Sequence, residues 1–257
     1  MTDFSANARV YDSRHGALLS DDLAQRLIAA ADLPLEALVL DVGAGTGRVA
    51  IPLASFGRRI VAVDRSVAML QQLREKLSTQ PIPVAIADGG ALPFRAASFD
   101  AVVVARLLYL LPEWRRTLDE GVRVLRDGGR LLHEWGNGDP DEEWVQIRGQ
   151  ARRLFEAAGV ANPFHAGARE EQDVDRALVA RGMTPCAGIR AESDMRTTLG
   201  QFLDRIDSGE CSYIWNVPLD VQRTCLPRLR EWAAERFDLA REVTVPRALE
   251  WTLYRKP

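Results

Sequence analysis

The sequence predicts an α/β fold built on a largely parallel sheet with crossover helices, and three observations carry that reading. Short apolar runs alternate with helical patterns through the first half of the 257-residue chain. The first of these runs passes directly into a glycine-rich loop, Gly43-Ala44-Gly45-Thr46-Gly47. An aspartate closes or follows each of the first three runs, at Asp41, Asp64 and Asp88.

The elements follow in order. Ser20 suits the N-cap of a helix running through Leu23, Leu27 and Ile28 to Leu33, where Pro34 stops it. Leu38-Val39-Leu40 is apolar on both faces and too short for a helix, so it reads as strand one, with Ile60-Val61-Ala62-Val63 as strand two. Ser66 caps a helix whose inner face is expected to carry Val67, Leu70, Leu73 and Leu77. Val84-Ala85-Ile86-Ala87 is strand three and Ala101 to Ala105 strand four. Pro112 fits the first turn of a helix burying Trp114, Leu118, Val122 and Leu125; Asp127-Gly128-Gly129 is expected to end it before strand five, Arg130 to Trp135.

The rhythm then changes. Gly136-Asn137-Gly138-Asp139-Pro140 is a turn signal. Helices are expected near Glu142–Ala158, Arg169–Arg181 and Leu219–Phe237, and strands at Thr184 to Ala191 and Ala248 to Tyr254. The two strands read as an antiparallel edge of the same sheet, with the intervening helices as a cap.

Composition excludes several classes. Hydrophobic residues at 47% and charged residues at 27% are those of a folded globular chain. A net charge of -3 supplies no general attraction to nucleic acid, so none is expected as a partner, although arginines could cluster locally. Cys186, Cys211 and Cys225 show no C-x-x-C spacing, which fits a reducing compartment and small core residues better than a disulfide framework or a metal site. No window approaches ~18 consecutive apolar residues and no secretory pattern opens the chain, so the expectation is a cytoplasmic protein without membrane insertion.

The chemistry is concentrated in Leu40-Asp41-Val42-Gly43-Ala44-Gly45-Thr46-Gly47-Arg48. Glycines between a strand and a helix let bare backbone approach a ligand. A dinucleotide-binding loop would need G-x-G-x-x-G, but here the spacing is G-x-G-x-G and Arg48 stands where the third glycine belongs. Asp41 favours a ligand carrying an ammonium group. A carboxylate ending strand two can accept both hydroxyls of a ribose, and one after strand three can accept from an adenine amine. Each aspartate alone could equally cap its following turn, but three at consecutive strand ends point to a ligand.

LDVGAGTG, VAVD and ADGGALPFRAASFDAVVV together resemble the successive motifs of class I S-adenosylmethionine-dependent methyltransferases, nearest to the small-molecule and quinone-pathway group, over about residues 36–135. The resemblance implies a Rossmann-like doubly wound seven-stranded sheet of order 3-2-1-4-5-7-6 with strand seven antiparallel, here with a helical cap insertion. It implies one domain over 1–257: a helical lid segment 1–35, a cofactor-binding core 36–135, a cap with an edge strand 136–245 and a last strand 246–257. By motif position, Asp41, Gly43, Ala44, Gly45 and Gly47 would border the methionine portion of S-adenosylmethionine, Asp64 the ribose, and Asp88 with the Gly89 amide the adenine, with Arg65 a further cofactor-binding residue. Met69 would pack on the adenine face or fill the core, and Ala105 would close strand four beside the cofactor. Tyr11 and Arg14 would fold over it as part of a lid.

The sequence departs from the commoner pattern of this family at Arg106, Tyr109 and Gly90, where histidines and an acid are frequent. The acceptor is expected to be a small molecule. Candidates on its side are Tyr109, Arg106 as a partner for an anion or for a cap acid, and His133 as a general base or a structural histidine; His15 and His165 are further options. His133 and Glu134 are neighbours on strand five and should point to opposite faces, one toward the pocket mouth. Trp144, Phe155, Phe164, Phe202, Tyr213 and Trp215 could line an acceptor pocket or form core. The alternatives are a macromolecular substrate, a non-catalytic cofactor-binding protein, and an NAD-dependent oxidoreductase.

Overall fold

The computed structural model describes residues 8, 11, 18–77, 81–136, 142–161, 167–211 and 214–257. Its seven strands are β1 (Leu38–Val42), β2 (Arg59–Asp64), β3 (Val84–Ile86), β4 (Phe99–Ala105), β5 (Leu125–Glu134), β6 (Thr184–Thr198) and β7 (Glu242–Arg255). They form one sheet of order β3-β2-β1-β4-β5-β7-β6. β1 pairs in parallel with β2 and β4, β4 in parallel with β5, and β7 runs antiparallel to β5. This is the Rossmann-like order that the motifs implied.

The chain divides into two compact units. The larger comprises Phe4–Gly136, Gly167–Ala191 and Leu249–Pro257; the smaller comprises Met1–Asp3, Asn137–Ala166 and Glu192–Ala248. In the larger unit, alternation along the central strands feeds two apolar layers. Val39, Ala101, Val103 and Leu132 pack with α1 (Asp21–Ala30) and α2 (Ala50–Ser55). Leu40, Val102, Val104 and Leu131 pack on the other face with α4 (Trp114–Val124) and α6 (Glu171–Val179). The Ser20 hydroxyl accepts the Leu23 amide at the start of α1, and the Ser66 hydroxyl accepts that of Met69 at the start of α3 (Val67–Lys76).

The smaller unit has its own core, in which α5 (Glu142–Ala157) packs along α8 (Leu219–Ala234). It also contains α7 (Leu199–Asp207), a helix beyond those expected from the sequence pattern. Its signal was present: Thr198 and Gln201 form a reciprocal capping box.

Four local expectations are corrected. Val67 is exposed because it opens α3 on the outer side, and Leu77 falls just past the helix end. The helix before β5 stops at Val124, not at Asp127-Gly128-Gly129. Those residues lie inside β5 at a register shift against β4, where Gly128 adopts φ 75° and donates to the Lys256 carbonyl at 3.0 Å. Cys186 is exposed, whereas Cys225 is buried.

Candidate functional site

β1 lies between β2 and β4, and its carboxyl end opens into the glycine loop. The Gly43 and Ala44 amides both donate to the Val63 carbonyl, at 2.8 and 3.0 Å, which folds the loop back over β2; Gly47 closes it by donating to Ala44 at 2.9 Å. Gly43 has φ 73°, and a Cβ there would stand 2.8 Å from the Leu107 side chain. Gly45 has φ 55°, and an added Cβ there would stand 3.3 Å from the terminal methyl of buried Met69 and 4.0 Å from the Gly43 carbonyl oxygen. The first glycine is therefore required by packing, while the second keeps a ledge of backbone bare.

The three aspartates sit at successive strand ends in different settings. Asp41 is 2% exposed, and its Oδ2 has no hydrogen-bond partner among the described residues. Burial, reinforced by the charge of Asp64, pushes its carboxyl up to about 7, against the Ala50 amide and Arg48, which favour the ionised form. A buried acceptor of this kind suits a cationic donor. Asp64 ends β2 and accepts from the Gly45 amide at 2.9 Å and the Ser66 amide at 2.8 Å, one on each oxygen. The Arg65 amide bonds the same carboxylate, whose remaining acceptor capacity out of about four lone-pair sites is open to a ligand hydroxyl. Burial raises the Asp64 pKa, while those amides and Arg65 oppose the rise. Asp88 lies two residues beyond β3, exposed, and accepts the Gly90 amide at 2.8 Å. Gly89 fills a tight gap: a Cβ there would stand 3.1 Å from Thr117 and 3.2 Å from Val42.

At the ends of β4 and β5 the fold assembles into one group residues that stand far apart in sequence. Glu134, 0% exposed, accepts from Arg48 on both oxygens, at 2.6 and 2.9 Å, and from Arg106 Nε at 3.0 Å. Arg106 thus pairs through its Nε with an acid of the sheet itself. It directly follows Ala105, the last residue of β4, and holds φ 51°. The Tyr109 ring meets Trp135 edge-on at 5.8 Å between centroids. Burial, then the neighbouring Tyr11, drives the Tyr109 hydroxyl pKa well above its ordinary value. Tyr11, Arg48, Arg106, Tyr109 and Glu134 consequently form one electrostatic neighbourhood. A carboxylate on an apolar strand and an arginine directly after a glycine loop were the available signals, but nothing in sequence joins residues 86 positions apart.

Of the His133–Glu134 pair, Glu134 turns toward the glycine loop. His133 is 1% exposed, neither ring nitrogen has a partner among the described residues, and burial lowers its pKa to about 4. In the smaller unit, Trp144, Phe155 and Phe202 are core, with Trp144 stacked on Phe202 at 4.0 Å, and Trp215 donates to the Gly209 carbonyl at 2.7 Å. Arg14, His15, Phe164, His165 and Tyr213 lie outside the described residues.

Residues 40–133 match the methyltransferase domain family. A demethylmenaquinone methyltransferase of Clavibacter sepedonicus is 41% identical over 95 residues, spanning 37% of this chain and 39% of that protein. The matched region thus covers well under half of that relative's length. Among solved structures, a putative methyltransferase of Bacillus halodurans aligns with a TM-score of 0.64 at 20% identity, covering 91% of this chain and 98% of that one. A Haemonchus contortus N-methyltransferase in complex with phosphomonomethylethanolamine and S-adenosylhomocysteine aligns at 0.56 and 16% identity, covering 98% and 57%. At these identities the structural likeness speaks to fold alone.

Proposed function

From a chain whose residues 40–133 carry a methyltransferase domain on the class I sheet order, we propose that the protein transfers the methyl group of S-adenosylmethionine to a small-molecule acceptor. One observation carries this reading: the buried Asp41 Oδ2, without a hydrogen-bond partner among the described residues, lies beside a bare glycine ledge whose Gly45 amide is fixed by Asp64. That set fits the cofactor, with Asp41 for its ammonium group, Gly43 to Gly47 along its methionine portion, Asp64 and Arg65 at the ribose, Asp88 and Gly89 at the adenine, and Met69 under the ring. The S-adenosylhomocysteine held by the Haemonchus enzyme of the same fold supports the choice of cofactor.

The sulfonium supplies an electrophilic methyl, so the chain's own task is alignment and exclusion of water. Holding acceptor and donor in line contributes on the order of 7–11 kcal/mol through effective molarity. In this reading Tyr109, whose hydroxyl burial keeps protonated, lies on the acceptor side as a hydrogen-bond donor, and Tyr11 covers the cofactor. No proton-transfer role is given to His133, whose ring is closed from solvent and neutral at pH 7. The net charge of -3, which gives no general attraction to nucleic acid, and the aromatic Tyr109–Trp135 contact support a small acceptor. The quinone-pathway relative makes an aromatic acceptor the first class to screen, and the absence of C-x-x-C spacing supports a reducing, cytoplasmic setting. Among the described residues no helix is long and apolar enough to cross a membrane.

Isothermal titration with S-adenosylhomocysteine, with NAD as control, tests the cofactor. Binding of the former alone is expected, and binding of NAD instead would return the protein to the oxidoreductase class. Turnover of S-adenosylmethionine across an acceptor library then separates an enzyme from a cofactor-binding scaffold.

A further inference from the structure

We propose that Glu134 is a positioning residue, whose buried carboxylate locks the start of the glycine-loop helix to the turn after β4. The backbone facing the cofactor and the Tyr109 rim facing the acceptor are thereby held in one relation. Its purpose rests on the methyl-transfer reading; its geometry stands without it.

Glu134 grips Arg106 twice. The carboxylate accepts from the Nε at 3.0 Å, and the Glu134 carbonyl accepts the Arg106 amide at 2.8 Å. Together these bonds hold Arg106 at φ 51°, a conformation that side-chain-bearing residues keep only where their surroundings over-determine it. The next residue, Leu107, covers Gly43, and Tyr109 follows two positions on, against Trp135. On the other side the two Arg48 bonds reach across 86 positions of sequence to the residue directly after Gly47, while the Arg48 carbonyl accepts the Leu19 amide at 3.1 Å.

A fully buried carboxylate is costly to desolvate, and an apolar side chain of similar size would pack as well. An ion triad kept in this place therefore buries charge in exchange for a defined geometry between two loops. The ends of β1, β4 and β5 are tied through one side chain, and the side-chain part of that tie is weakened if its charge is removed.

Hydrogen–deuterium exchange on the full-length, unliganded protein tests this directly. In Glu134→Gln, segments 43–49 and 105–110 are expected to exchange on the order of tenfold faster, while segments 59–64 and 219–234 keep their wild-type rates. The Kd for S-adenosylhomocysteine should rise by a similar factor. Adding Arg48→Gln, which removes one stranded guanidinium, should recover part of the loss. Unchanged exchange at both loops, or acceleration throughout the chain with a lower Tm, overturns the positioning role whether or not ligand binds. Wild-type protein that ignores S-adenosylhomocysteine instead removes the cofactor reading, and needs no variant to show it. Should Glu134→Gln not fold, Arg106→Lys keeps the charge but loses the Nε bond. Faster exchange confined to 105–110 is then the supporting result, and wild-type rates there the opposing one.

Discussion

Asp64 stands close enough to Asp41 for its charge to oppose ionisation of the Asp41 carboxyl, which burial already pushes from an ordinary 3.8 up to about 7. The two converge because β1 and β2 pair in register and the glycine loop turns back over the end of β2. Below the ordinary value both folded and unfolded chains hold the proton. Between the two values only the folded chain holds it, so its stability falls as pH rises, and above about 7 the full penalty remains. That penalty is about 4 kcal/mol at most. Asp41→Asn should therefore gain stability relative to wild type between pH 4 and pH 8, measured by urea denaturation. Parallel curves for the two proteins would show that Asp41 does not titrate in this window.

The same carboxyl gives ligand binding a proton signature. A ligand ammonium group favours ionised Asp41, so S-adenosylhomocysteine binding should expel a proton below pH 7. Affinity should rise with pH through about 7 and then level off, by up to about tenfold per unit on the rising limb. Titrations at pH 6.5 in two buffers of different ionisation enthalpy count the protons released. A count of zero would place the ammonium group elsewhere.

What the sequence made legible, and what it did not, follows the range of the forces involved. Ser20 and Ser66 were readable as caps because capping acts over three residues, and the central strands because apolar runs bounded by turns leave few alternatives. Asp41, Asp64 and Asp88 were readable as strand-end acids for the same reason, although the Asp41 oxygen without a partner among the described residues and the amide load on Asp64 were not. The Arg48–Glu134–Arg106 triad was illegible because it joins residues 86 and 28 positions apart that meet only once the sheet is assembled. Gly128 was misread because a glycine that ends a helix and one that bulges a strand both take a positive φ. The sheet context decides between them.

Gly43 and Leu107 should be energetically coupled. Gly43→Ala forces a left-handed conformation on a residue with a Cβ and drives that Cβ into the Leu107 side chain at 2.8 Å. The left-handed strain alone costs roughly 1–2 kcal/mol. Leu107→Ala removes the clash but leaves the strain. The double variant should accordingly be more stable than the sum of the two single losses, by 0.5 kcal/mol or more on the usual scale of contacting pairs, about 0.5–3 kcal/mol. Strict additivity in a denaturation cycle would mean that the loop relaxes away from Leu107.

Asp64→Ala should produce two separable losses, because the carboxylate serves both the protein and the proposed ligand. Removing the acceptor of the Gly45 and Ser66 amides should lower stability without ligand by about 1–2 kcal/mol, the usual scale of a lost cap. Losing two charged hydrogen bonds to a diol should weaken S-adenosylhomocysteine by at least a further tenfold, since each contributes about 1.5–3 kcal/mol. Asp64→Asn, which keeps one carbonyl oxygen as an acceptor, should be intermediate on both axes. A stability loss with unchanged affinity would reduce Asp64 to a cap.

His133 yields the opposite pH dependence from Asp41. Its ordinary value of 6.5 is lowered to about 4 by burial alone. As pH falls below 6.5 the unfolded chain takes up a proton that the folded chain refuses, so stability present at pH 7 is lost between 6.5 and 4, about 3 kcal/mol in all. His133→Phe keeps a ring of similar shape and removes both the titration and two buried nitrogens without partners among the described residues. The variant should match or exceed wild type at pH 7, exceed it clearly at pH 4.5, and bind S-adenosylhomocysteine unchanged. The choice of residue also separates a structural from a catalytic histidine, because only the latter links ring nitrogens to turnover. A variant with wild-type stability and affinity but methyl transfer lowered by 100-fold or more, within the range of about 10²–10⁴ for general base catalysis, would move His133 from the core into the mechanism.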